Sequence, residues 1–161
     1  MASSASADSA RYAARVRELG EQFATAVAPL DRDRFHRRPA PDAWSIAEIS
    51  GHMAEGPLTF ATQARALAEN PGMPLGRNMD DPGRLAAIAR LGNATPAQAA
   101  AMIRECSANA AVLIESIDDQ GLDASGVRVA NGERFSARQV VEALVIEHLE
   151  GHLAEVRKLA E

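Results

Sequence analysis

VIEHLEGHLAEV, residues Val145 to Val156, sets two histidines four apart among leucines and valines. The chain has only four histidines in all. Residues four apart on a helix point in nearly the same direction, one turn above the other. The apolar pattern around them, Val141, Leu144 or Val145, Val156 and Leu159, asks for core residues where His148 and His152 stand. Two imidazoles stacked in this way can share one cation at about 2.0–2.1 Å if it is zinc. They can equally be two core histidines hydrogen-bonded to neighbours.

The intervening residues exclude one chemistry. A zincin needs a glutamate directly after its first histidine, and the inverted motif needs one directly before its second. Here the order is His148, Leu149, Glu150, Gly151, His152. Glu150 is two residues from each histidine and points away from their face. Gly151, in mid-helix, costs about 1 kcal/mol against alanine and leaves room for a helix contact or for ligand access.

Working outward, the rest of the chain reads as helices. It has 161 residues, 47% apolar but only 4% aromatic, with alanine prominent. This composition suits one domain of closely packed helices, taken here as 1–161. Tyr12, Val16, Leu19, Phe23, Val27 and Leu30 mark a first helix, preceded by a frayed tail over residues 1–8. A second starts at Ser45 with Glu48 as a capping box, and Trp44 in position to staple onto Ile49. Its stripe runs through Ile49, Met53, Phe60 and Leu67, with a kink or local break expected at Pro57. A third starts at Thr95-Pro96 with Gln98, along a stripe of Ala99, Met102, Cys106, Ala110, Leu113 and Ile117. The fourth starts at Ser136 with Gln139. Before it, Asn131-Gly132 between Val129 and Phe135 signals a small hairpin or a turn. Residues 70–94, rich in glycine and proline, are helical only over Arg84 to Leu91. They are long for a link between antiparallel neighbours, so they can cross the bundle and let helices two and three run parallel.

His52 supplies a third imidazole, on the inner side of the second helix. In a four-helix bundle it can face His148 and His152. Three neutral imidazoles with positions left for water make a catalytic type of metal site. Without a metal, three buried histidines would each need their own partners. Glu55 and Glu155 follow His52 and His152 by three residues. They are candidates for proton transfer, or for holding an imidazole N–H. His36 falls off any stripe and is left out of the set. Cys106 reads as a buried, inert thiol; as a single cysteine it excludes an internal disulfide and fits a reducing cytoplasm.

The net charge of −5 disfavours nucleic acid as a partner. No segment is apolar and long enough for a bilayer, and the opening MASSASADSA lacks a signal-peptide core. DRDRFHRR, Asp31 to Arg38, is the local exception in charge. It reads as a solvated loop, or as a landing place for an anionic substrate or thiol cofactor.

PDAWSIAEISGHMAE (41–55) and VVEALVIEHLEGHLAEVRKL (140–159) together resemble the DinB/YfiT-like metalloenzyme superfamily. Trp44-Ser45 at a helix entry, His52 two turns on, and His148 with His152 in the last helix occur in that family's order. The resemblance runs roughly from Tyr12 to Leu159, with no family signal in 70–94. It implies an all-α four-helix bundle of up-down-down-up course. It implies a divalent metal, zinc or nickel, on His52, His148 and His152, and a homodimer. It also implies a transferase using a low-molecular-weight thiol on small electrophiles; in the basic stretch, Arg34, Arg37 and Arg38 are the candidates to hold that thiol. The residues themselves leave two alternatives: hydrolysis by metal-activated water, and a non-catalytic stress-response or ligand-binding bundle.

Overall fold

A computed structural model describes residues 6–161 of the chain. Helix α1 (Ala7–Val27) starts at Ser6, whose hydroxyl accepts from the Asp8 and Ser9 N–H groups. Ser6 to Asp8 thus form a cap and first turn, not a frayed tail. The remainder of that expected tail, residues 1–5, lies outside the described residues.

The next helix, α2 (Arg32–His36), is short. Its sequence read as a solvated loop, but Asp31 caps it and Phe35 is completely buried, so the arginines project from an anchored turn. The long helix α3 (Ile46–Glu69) begins with the expected capping box, Ser45 with Glu48. It runs through Pro57 without a break. A mid-helix proline costs about 3 kcal/mol. Here Met53, Ala54, Ala61 and Ala64 are buried on both sides of it, and such packing holds a helix together more strongly than propensity does.

Helix α5 (Pro96–Glu115) has the expected Thr95–Gln98 box. Its buried face is turned one residue from the expected stripe: Ala99, Ile103, Ser107, Ala110 and Ile114 are inside, while Met102, Cys106 and Leu113 are half-buried. The cause is a close approach to α1. A Cβ on Gly20 would lie 2.4 Å from the Ser107 Cβ, so two small residues let the helix backbones nearly touch.

The last helical stretch starts at the Ser136–Gln139 box as α7 (Ala137–Gln139). It passes through a π-helical segment, Val140–Ile146, into α8 (Glu147–Ala160). The cross-helix pairs show how these elements lie together. Along α1, Asp8, Arg15 and Gln22 meet Arg138, Glu150 and Arg157 in rising order. Against α5 the order is reversed, with Arg17 on Glu115 and Glu21 on Arg104.

The crossover is more structured than its composition suggests. It holds strand β1 (Pro74–Leu75) and helix α4 (Pro82–Arg90), followed by a 3-10 turn at Leu91–Asn93. A five-residue helix, α6 (Asp119–Asp123), comes after α5. The expected hairpin forms as β2 (Ser125–Arg128) and β3 (Arg134–Ser136), with Gly132 at φ 75° in its turn. Strand β1 adds to it in parallel, making a three-stranded sheet in the order β1-β2-β3. The protein is therefore mostly helical, with one small sheet that pins the start of the crossover. At its other end α4 crosses α3 at Gly51, where a Cβ would come within 2.7 Å of the Ala87 carbonyl. Among the described residues, no helix is long and apolar enough to cross a membrane.

Candidate metal centre

His52 sits two turns into α3, on the buried side. His148 and His152 occupy successive turns of α8 just after the π-helical segment. All three rings converge. Their centroids are 4.9 Å (52 to 148), 5.4 Å (52 to 152) and 4.9 Å (148 to 152) apart. One nitrogen from each lies within 4.8 Å of the other two. The Nε2 atoms of His52 and His148 are 3.1 Å apart. Two nitrogens bound at 2.0–2.1 Å to one tetrahedral cation sit about 3.3 Å apart. The spacing thus matches what a shared ion requires.

The protonation states fit the same use. Burial, with smaller contributions from His148, His152, Arg84 and Arg77, pulls His52 down from 6.5 to about 3. Burial and then His152 lower His148, opposed in part by a backbone hydrogen bond with Leu144. Neutral imidazole, with a free lone pair, is the metal-binding form. His152 Nδ1 donates to Glu155 Oε2 at 2.9 Å, which leaves Nε2 as its available lone pair. The buried Nδ1 of His52 has no hydrogen-bond partner among the described residues.

The cluster forms one wall of a cavity of about 330 Å3. Trp44 lies edge-on to His52 at 5.3 Å and nearly stacked on His152 at 6.4 Å. Its place is thus beside the histidines. Phe60 adds a second aromatic wall, and the crossover supplies Arg77, Asn78, Met79 and Arg84. These four were not singled out as site residues from the sequence, where they look like ordinary loop and helix positions.

The other candidates fall elsewhere. Glu55 is engaged by the Arg77 guanidinium and by Thr59 Oγ1 at 2.7 Å, and it does not line the cavity. Glu155 touches the site only through His152. Glu150 pairs with Arg15 of α1 at 2.6 Å, away from the histidines as its spacing predicts. Gly151 is exposed with open space at its Cβ, so it serves neither a helix contact nor the cavity. Arg34 donates to the Ala160 carbonyl at 2.6 Å at the end of α8. Arg38 is held by Glu48 and the Pro41 carbonyl. Arg37 and Arg38 line a separate, more open groove of about 800 Å3, which includes His36 but none of the clustered histidines. Arg34, Arg37 and Arg38 therefore do not meet the histidine cluster. Cys106 is half-buried, and burial pushes its thiol upward.

The family model of the DinB superfamily matches residues 15–156. The chain belongs to the DinB superfamily. No protein of curated function matches it. Among solved structures, this DinB chain is similar to YfiT from Bacillus subtilis, with a TM-score of 0.78 at 15% identity over 94% of this chain and 85% of that one. YfiT is described as a probable metal-dependent hydrolase with an unusual four-helix bundle topology. A DinB-like protein of Bacillus subtilis, YjoA, is similar at TM-score 0.63 and 14% identity, over 95% and 89% of the two chains. At these identities the likeness is one of fold. The DinB bundle places His52 opposite the α8 pair.

Proposed function

We propose that this DinB protein holds one divalent metal ion on His52, His148 and His152 and hydrolyses a small substrate in the adjoining cavity. The observation that carries the reading is the convergence of three imidazole nitrogens within 4.8 Å at a cavity wall. A divalent cation there supplies Lewis acidity toward water and toward a substrate oxygen. Glu155 fixes the His152 ring. Trp44 and Phe60 exclude water from two sides, and Glu55 holds Arg77 in place at the cavity edge.

The description of YfiT favours hydrolysis over thiol transfer, and the arginines meant to hold a thiol lie away from the histidines. Zinc or nickel remains the proposed ion, and a homodimer the proposed assembly. An up-down-down-up course is the finer fold reading, supported by the rising register of α1 with α8 and the falling register of α1 with α5.

The test is turnover of a panel of small esters, amides and phosphate esters with no thiol present. We expect activity that chelation abolishes and added zinc or nickel restores. Turnover that survives complete metal removal, or that starts only when a thiol is added, would sink this reading.

A further inference from the structure

Arg84 is the one charged residue among the described ones that is buried, at 8% exposure. It belongs to the first turns of α4 and lines the same cavity as the three histidines. Its Nη1 donates to the Met79 carbonyl at 2.8 Å, and its guanidinium carbon lies 5.2 Å from the centre of the Trp44 ring. A guanidinium carries five N–H donors. Only one is used here, and no carboxylate pairs with Arg84 among the described residues. The neighbouring Arg77 is the opposite case, engaged by Glu55 and with Asp81 at 3.6 Å. The Asp81 carboxylate near Arg84 accepts from its backbone N–H instead, as the α4 cap.

A buried, unpaired charge is costly to keep. The fold nevertheless positions it: Gly51 lets α4 press onto α3, and Asp81 caps the helix immediately before it. The space beside it is small and part apolar, walled by Trp44, Phe60 and Met79.

We propose that Arg84 is the anion-recognition residue of this cavity, binding the carboxylate of a small substrate with a short apolar stem. Its planar donor fork matches a carboxylate. The stem lies along Trp44 and Met79, which directs the remainder of the molecule toward the histidines. This deepens the hydrolase reading and rests on it for the reaction, but the binding claim concerns the protein's own residues.

Trp44 is the single tryptophan of the chain, so its fluorescence reports on this cavity alone. The full-length protein, as purified and after chelation, is titrated with propionate and with propionamide at about pH 8 and constant ionic strength, where free imidazoles are neutral. We expect a saturable change with propionate and none with propionamide, in both metal states. Arg84→Gln should weaken propionate by about tenfold or more, the cost of losing a charge-assisted pair, and Arg84→Lys should retain part of the binding. Equal responses to acid and amide, or no response to either, would overturn the proposal without relying on any variant. So would propionate binding that requires metal and survives Arg84→Gln. Arg84-dependent binding in a protein that takes up no zinc or nickel even when these are supplied would leave this proposal standing while the hydrolase reading fell.

Discussion

His52, His148 and His152 differ in what surrounds them, and that difference has consequences. His152 has its outer nitrogen held by Glu155, whereas the corresponding nitrogen of His52 is buried and unpartnered. Carboxylates behind a ligand histidine typically set metal affinity by about 10–100-fold. Glu155→Gln should therefore weaken metal binding by about tenfold, measured by competition with a chromogenic chelator, while the thermal stability of the metal-free chain stays unchanged. An unaltered affinity would mean that Glu155 is an ordinary surface carboxylate. The three histidines were legible in the sequence because their spacing and apolar setting are local. Arg84 was not, because nothing in RLAAIARL distinguishes a buried arginine from an exposed one until α4 is laid across Gly51. The roles of Glu55 and Arg34 were also hidden: their partners, Arg77 and the Ala160 carbonyl, are 22 and 126 residues away.

Elements were legible where their signals are local. All three capping boxes, at Ser45, Thr95 and Ser136, form as their sequences require. The buried face of α5 differs from the expected stripe because the larger apolar Met102, Cys106 and Leu113 drew the reading one residue away from Ile103, Ser107 and Ile114. Ser107 is inside because Gly20 opposite has no side chain. The π-helical turns at Val140–Ile146 have no sequence signature, and the pairing of β1 with β2 joins residues some fifty positions apart. Two glycines now separate by context. Gly151 is exposed in an α-helix with free space at its Cβ, so Gly151→Ala should stabilise the protein by about 0.5–1 kcal/mol, raising Tm by roughly 1–4 °C. Gly20→Ala places a methyl 2.4 Å from Ser107 Cβ and should cost about 1–3 kcal/mol. Thermal melts of the two variants check both signs; a stabilised Gly20→Ala would contradict the close contact of α1 and α5.

At the scale of the whole molecule, the bundle brings one imidazole from α3 to two on α8, and the crossover closes the space beside them. The long 70–94 segment was expected to bridge the bundle. In the structure β1 and α4 anchor it at both ends, and it contributes four of the cavity's lining residues. The histidines are thus supplied by α3 and α8, and the charged wall by the 70–94 segment, which the DinB model also spans. The central claim is that the three histidines hold a single ion. Elemental analysis of protein purified without a histidine tag tests it most directly. The account predicts close to one divalent transition-metal ion per chain, lost in His52→Ala and in His148→Ala variants that remain folded. A chain that binds no such metal, or variants that keep the parent's metal content, would contradict it.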